Sequence, residues 1–315
     1  MTTHLVLGTG AVGSAVANLL ASQGHSVRAI NHSGKRGSLD AAIALSQADL
    51  NDPAAAASAL KGADVIYQVT QPAYAKWVTE FPALQRSILG AAEKAGASVV
   101  LADNLYCYRP QPGATITEDT PEQPTTRKGR VRKQIADEAL AAHADGRVRV
   151  ALTRPSNYVG ADYAVFRDLV LDPVANGKAA RILGRTDRPH SFSYTADAAR
   201  AMAAIGTSEQ GWGRAWITPV MATITQADLV ARLWEAARQP GKPRVSSIRG
   251  GGLRALSLFM PMLREAVEMM YEFDEPFVAS SAAFEETFGW GATPWDEAIA
   301  AMVSTATIAR ASTRT

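Results

Sequence analysis

Residues 4–24, HLVLGTGAVGSAVANLLASQG, decide how the rest of the chain is read. Leu5, Val6 and Leu7 form an apolar run of the kind that fills a strand buried on both faces. Gly8, Gly10 and Gly13 make a G-x-G-x-x-G, and Val12, Val16, Leu19 and Leu20 keep a helical period behind it. Strand, glycine loop and helix in that order form a dinucleotide-binding turn. Gly8 allows the sharp turn, Gly10 admits a pyrophosphate close to the backbone, and Gly13 lets helix and strand pack closely. The helix then points its free N–H groups and positive dipole end at the phosphates. The loop residues Thr9, Ala11 and Val12 join the three glycines as candidate cofactor contacts.

Ser26 to Ile30 reads as a second strand, and it ends in Asn31-His32-Ser33-Gly34-Lys35-Arg36. An NAD site usually places an acid here, roughly 20 residues past the glycines, to accept hydrogen bonds from the ribose 2′-OH. No acid is present. Asn31 and Ser33 offer hydrogen bonds, and Lys35 with Arg36 suits a 2′-phosphate, so NADP is expected over NAD. The alternative is that Lys35 and Arg36 only solvate a turn.

Further strands are expected at Ala41–Ala48, Val65–Val69, Ser98–Ala102 and Arg147–Leu152. Helices are expected from Asp52-Pro53 to Leu60, from Tyr74 to Ala95 and from about Lys128 to His143. Short loops between alternating strands and helices give a doubly wound parallel α/β sheet. Asp49, Leu50, Val69, Thr70 and Gln71 fall at strand carboxyl ends, where such sheets bind ligands. Residues 109–126 carry Pro110, Pro112, Pro121 and Pro124 and read as a long loop over the site.

Composition narrows the class. The chain has 315 residues, 47% of them hydrophobic, enough for one large domain or two smaller ones. A net charge of +2, from 32 basic and 30 acidic residues, gives no reason to expect nucleic acid as a partner. No run approaches the roughly 20 apolar residues of a membrane span, and a strand starting at residue 4 leaves no room for a leader. A cytoplasmic monomer or homodimer acting on a small molecule is expected. Cys107 is the single cysteine, which rules out an internal disulfide, and no metal site is expected.

Taken with the glycine loop, several later segments resemble the extended and atypical short-chain dehydrogenase/reductases, in their NAD-dependent epimerase/dehydratase-like group. Ala48-Asp49-Leu50-Asn51-Asp52 is similar to the third-strand Asp motif. Arg154-Pro155 through Tyr158-Val159-Gly160 is similar to R-P-x-x-x-Y-G, which makes Pro155 a cofactor contact. Residues 188–201, RPHSFSYTADAARA, resemble the late strand and the helix opened by an Asp. Phe284–Trp290 and Thr293–Ala298 resemble the closing F-G-W and T-P segments. The resemblance implies a Rossmann domain over 1–160, rejoined by 190–205, and a smaller α/β substrate lobe mainly in 161–315.

One departure stands out. Hydride-transferring members of the superfamily carry Tyr-x-x-x-Lys on the helix after the fifth strand, with a Ser near that strand's end. Here the helix reads RKGRVRKQIAD over 127–137. With Lys133 in the Lys place, Gly129 takes the Tyr place; with Arg132 there, Lys128 does. The Ser place falls near Asn104. Tyr106 is the positional substitute, with an ordinary pKa of about 10 that Lys133 would lower, although packing alone also explains it. Asn104, Tyr106 and Lys133 are therefore the catalytic candidates, and Tyr108, Asn157, Tyr158 and His190 the substrate ones, with Tyr163 of the same kind. The basic cluster Arg127, Lys128, Arg130, Arg132 and Lys133 suits an anion or a solvated helix face.

Three functions fit. The first is an NADPH-dependent oxidoreductase reducing or oxidising a small carbonyl, alcohol or imine compound. The second is a non-redox epimerase or isomerase that retains its dinucleotide, and the third is a dinucleotide-sensing regulator. The methionine-rich stretch Leu253–Phe273 reads as a lid, a dimer surface or core.

Overall fold

The computed structural model describes residues 2–109, 113–249 and 267–312. Seven parallel strands make the central sheet: β1 Thr3–Leu7, β2 Ser26–Asn31, β3 Ala44–Gln47, β4 Val65–Gln68, β5 Ser98–Ala102, β6 Val150–Thr153 and β7 Ala215–Trp216. Their spatial order is β3-β2-β1-β4-β5-β6-β7, so the order reverses between β1 and β4. That reversal opens a crevice at the carboxyl ends of the two strands.

The central strands β1, β4, β5 and β6 are buried on both sides because each side meets a helical layer, whereas the edge strand β3 is mostly exposed. Leu5, Leu7, Ile66, Val99, Leu101, Val150 and Leu152 pack against three helices, α2 Pro53–Leu60, α3 Trp77–Ala95 and α4 Arg127–Ala144. Val6, Ala29, Tyr67, Val100 and Ala151 face the other way, against α1 Ala11–Ser22 and α5 Thr195–Gly206. Helix starts follow local chemistry. Asp52 Oδ1 accepts from Ala54 N at 2.9 Å ahead of Pro53, and Thr126 Oγ1 accepts from Gly129 N at 2.9 Å.

Two expected boundaries move. The third strand begins at Ala44 rather than Ala41, because Arg36 Nη1 ties the carbonyls of Asp40 and Ile43 into the preceding turn. The sixth begins at Val150 rather than Arg147. A seventh strand comes from residues 215–216, beyond 160, and is too short to announce itself in sequence. α5 lies on the sheet against α1, with Ala199, Met202 and Ile205 buried beside Val6 and Val16.

A separate apolar cluster holds the carboxyl-terminal residues together. Leu229, Val230, Leu233 and Trp234 of α6 Gln226–Ala236 meet Trp295, Ile299 and Met302 of α7 Trp295–Ser312. The loop after β5 is tied to this side of the molecule. Thr115–Ile116 pairs in parallel with Val278–Ala279, and Arg109 Nη1 meets Glu275 Oε2 at 2.8 Å. Pro110, Pro112 and positions 253–266 of the methionine-rich stretch lie outside the described residues. Met269 and Met270, at its end, are buried.

Candidate functional site

The glycine loop is built by close contact. Gly8 has φ of +100°, in the left-handed region, and a Cβ there would stand 3.0 Å from Thr70 N. A Cβ on Gly13 would stand 2.0 Å from the carbonyl oxygen of Gly8. Gly10 differs, since a Cβ there would meet nothing within 4 Å. It opens α1, which has no side-chain cap and no acid in its first turn, so the first N–H groups remain available to an anion. Space at Gly10 and uncapped donors behind it fit a pyrophosphate.

Two cavities lie along this sheet edge. The larger, about 360 Å³, begins at Gly10, Ala11 and Val12 and continues past Val69, Gln71, Asn104 and Tyr106 to Pro155, Asn157 and Tyr158. The smaller, about 270 Å³, is walled by His32, Asp49, Leu50, Thr70 and Gln71 among others. Gln71 borders both, so the two lie side by side along the edge, an arrangement an extended dinucleotide can span. Hydrogen bonds from Asn51 to Asp49 Oδ1 hold the Asp49 carboxyl below its usual range.

The β2 end takes a different part from its neighbours. Asn31 Nδ2 donates to the carbonyl of Lys35 at 2.7 Å and to Thr9 Oγ1, and Asn31 Oδ1 accepts from Gly34 N at 2.6 Å. Asn31 and Thr9 thus shape the loop and are not among the cavity walls. Ser33 and Lys35 are exposed beside them, while Arg36 is half-buried with Nη1 committed to backbone. His32, which the sequence reading passed over, is the β2-end residue that walls the smaller cavity.

The missing tyrosine has a structural reason. A Cβ on Gly129 would fall 2.4 Å from the carbonyl oxygen of Tyr106 and 2.8 Å from Pro124 Cβ, so no side chain fits there. Lys128 is fully buried, its Nζ 3.0 Å from Glu268 Oε1 and 4.4 Å from the ring centre of Tyr74. One turn on, Arg132 walls the larger cavity. Its Nη2 donates to Gln71 Oε1 at 3.0 Å, its Nη1 to the Ala102 carbonyl at 3.2 Å, and its guanidinium lies 4.1 Å above Trp77. Lys133 does not reach the cavity. Its Nζ instead meets Asp137 at 2.9 Å and Glu122 at 3.7 Å.

The environment of Tyr106 also differs from the expectation. Burial first, then the nearby Glu272 carboxyl, raises its pKa well above the ordinary value, where a lowering by Lys133 was anticipated. Asn104 walls the cavity and accepts from Tyr106 N at 3.0 Å, bracing the turn that carries it. Tyr158 and Tyr163 wall the cavity together, ring centres 5.6 Å apart, and burial raises both phenols. Tyr108 does not. It is buried in the core with its hydroxyl accepting from Arg154 Nη1 at 2.7 Å, and burial pushes it up to about 12.

His190 stands behind the wall rather than in it. Its Nε2 lies 3.1 Å from Asn157 Nδ2, its ring stacks on Phe273 at 5.5 Å, and burial lowers its pKa to about 4. The residue that sequence reading missed is Glu272. It reaches the cavity from the short helix Tyr271–Asp274, is 1% exposed, and accepts from Asn157 Nδ2 at 3.3 Å. Burial pushes its carboxyl up to about 8, and among the described residues Oε1 has no hydrogen-bond partner. In the cavity wall, Asp103 sits between Arg154 and Arg132 at 2.8 and 3.6 Å. Among the described residues, no cluster of three or more His, Cys, Asp or Glu side chains could hold a metal ion, and no helix is long and apolar enough to cross a membrane.

Comparison with known proteins agrees with this architecture. The sequence model of the NAD dependent epimerase/dehydratase family matches residues 4–216. No curated protein sequence matches the chain. Solved structures align over nearly the whole length at low identity. A double mutant of DesIV, the dTDP-glucose 4,6-dehydratase of Streptomyces venezuelae, solved with NAD and DAU bound, gives a TM-score of 0.80 at 16% identity, covering 99% of this chain and 98% of that one. The UDP-glucose 4-epimerase of Thermotoga maritima with UDP-glucose gives 0.79 at 16%, covering 98% and 100%. That of Thermus thermophilus with NAD gives 0.76 at 17%, covering 97% and 99%.

Proposed function

The chain belongs to the NAD dependent epimerase/dehydratase family, and from that premise we propose that it holds a nicotinamide dinucleotide along the two adjacent cavities and acts on an oxygen-bearing carbon of a small polar molecule. The carrying observation is that Gln71 borders both, setting the smaller cavity beside the larger one that holds the open side of Gly10, Asn157 and Glu272. Asp49, Leu50 and His32 would border the adenosine, and Gly10 with the α1 N-terminus the pyrophosphate. Arg132 and Asn104 would stand near the nicotinamide end. When bound, the nicotinamide ring supplies or accepts the hydride. NADP is preferred over NAD, because β2 ends without an acid and Lys35 is exposed beside Ser33. Residues 1–160, with 190–205, would form the cofactor unit, and 161–315 mainly the substrate lobe.

Whether the hydride leaves with product separates two readings. The first is an NADPH-dependent oxidoreductase of a carbonyl, alcohol or imine compound. The second is an epimerase or dehydratase that keeps its dinucleotide and returns the hydride within one turnover. Structures titled as UDP-glucose 4-epimerase and dTDP-glucose 4,6-dehydratase match over the full length, which favours the second. The experiment is fluorescence titration with NADP and NAD, followed by absorbance at the reduced-nicotinamide band with carbonyl compounds and nucleotide sugars. Product with a net absorbance change supports the first reading, and product without one supports the second. Tight binding with no product supports a dinucleotide sensor, and failure to bind either nucleotide rejects the proposal.

A further inference from the structure

Two acids meet the larger cavity, and each has an oxygen without a hydrogen-bond partner among the described residues: Asp103 Oδ1, which has Arg132 3.6 Å away, and Glu272 Oε1, which has no ion-pair partner there. The Glu272 side chain arrives from the carboxyl-terminal third, opposite the helix where the superfamily tyrosine would be. Oε2 accepts from Asn157 Nδ2 at 3.3 Å, and Oε1 is buried without a hydrogen-bond partner among the described residues. Asn157 is itself held by His190 Nε2 at 3.1 Å, and the imidazole in turn bonds the Glu272 backbone. Because Nε2 faces an amide donor, the ring's proton is on Nδ1, so the neutral histidine locks the asparagine's orientation. Asn157 therefore spans two buried groups and fixes the carboxyl from one side only. A buried polar atom without a partner costs about 1–3 kcal/mol, and a substrate oxygen at Oε1 would remove that cost.

We propose that Glu272, steered by Asn157 and His190, is the group that exchanges a proton with the substrate oxygen, and that the substrate carries an uncharged hydroxyl or carbonyl at that position. The inference rests on the functional reading above. In the donating direction the O–H bond of the Glu272 carboxyl breaks and its electron pair stays on the carboxylate. The proton forms a new O–H bond on the substrate oxygen, and the accepting direction reverses each of these. Burial favours the protonated carboxyl at neutral pH, which suits a donor better than Tyr106, whose release of a proton burial makes harder. Among the described residues, the charges around the cavity leave no net cation for a substrate anion. Arg132 is matched by Asp103, the phenols of Tyr106, Tyr158 and Tyr163 are neutral, and His190 is neutral behind Asn157.

The test uses the full chain with glutamate ¹³C-labelled at the side-chain carboxyl, titrated by NMR from acid to alkali with and without NADP. One carboxyl signal should titrate far later than the others, vanish in Glu272→Gln, and move later still in Asn157→Ala, which removes the one bond that favours the carboxylate. Cofactor affinity in Glu272→Gln should stay within threefold of the parent. On any compound turned over in the absorbance assay, Glu272→Gln should lower kcat at least a hundredfold with KM changed less than fivefold. Glutamate signals that all titrate in the ordinary carboxylate range overturn the proposal, as does a Glu272→Gln variant with undiminished turnover. Loss of nucleotide binding by the parent protein is a different outcome and rejects the functional reading instead.

Discussion

Nε of Arg154 donates to Oδ2 of Asp103 at 2.8 Å, with 1% and 0% of the two side chains exposed. Arg154 also reaches Tyr108 and Glu122, so one guanidinium ties the end of β6 to the end of β5 and to the proline-containing loop. Removing it leaves the Asp103 carboxylate buried with only Arg132, 3.6 Å away, to compensate. Arg154→Met should therefore lose about 3–5 kcal/mol of folding stability in urea denaturation. A loss smaller than about 1 kcal/mol would place this pair with exposed ones.

Gly10 and Gly13 should separate binding from folding. The Cβ of Gly10→Ala enters open space at the mouth of α1, so stability should change by less than about 1 kcal/mol while NADP affinity falls at least tenfold. The Cβ of Gly13→Ala meets the Gly8 carbonyl at 2.0 Å, so that variant should unfold at markedly lower urea and bind no nucleotide. Thermal melts and fluorescence titration of the same two samples decide it. Equal behaviour of the pair would contradict the loop geometry.

Neighbouring cations on α4 should also part company. Arg132→Met removes the bonds to Gln71 and Ala102 and should weaken nucleotide binding at least tenfold. Lys133→Met removes only ion pairs with Asp137 and Glu122, neither of which lines the cavities, and affinity should stay within twofold. Isothermal titration with NADP measures both, and a larger effect at Lys133 would reverse the assignment.

Stability should peak near pH 6.5. Burial, with the nearby His25 charge, lowers His4 from 6.5 to about 4, and burial does the same to His190. The unfolded chain takes up both protons as pH falls through 6.5 while the folded one does not, so each costs about 1.4 kcal/mol per pH unit until about pH 4. Glu272 acts in the opposite sense. Raised from 4.5 to about 8, its carboxyl keeps a proton that the unfolded chain has released, so its contribution falls as pH rises between those values. From 6.5 down to 4.5 the two histidines outweigh it by one group, and above 6.5 it acts alone. Urea midpoints at pH 5, 6.5 and 8 should show the maximum, His4→Asn should flatten the acid side, and Glu272→Gln the alkaline side.

Much of this molecule is written locally. Alternate residues of β1, β4, β5 and β6 enter opposite core clusters, and runs such as Leu5-Val6-Leu7 announce that directly. The glycine loop and the Asp52-Pro53 helix start are equally local. Arg132 was within reach too, since 128, 131, 132, 135, 136 and 139 share the buried face of α4 at helical spacing, and 133 does not. Glu272 was not, because an acid among Tyr271, Phe273 and Asp274 carries no local sign of burial. Only the approach of Asn157 and His190, more than 80 residues earlier, gives it its environment. β7 was hidden by length, two residues whose pairing depends on β6 already being in place.

The contact between position 129 and the Tyr106 carbonyl limits what descent or engineering can restore. A tyrosine at Gly129 would have to displace backbone that the Tyr106 turn and Pro124 already fill. A tyrosine at Lys128 would instead take away the cation that Glu268 meets inside the fold. Neither is reached by a single substitution: the first requires the loop around Tyr106 and Pro124 to be rebuilt, and the second the segment that carries Glu268.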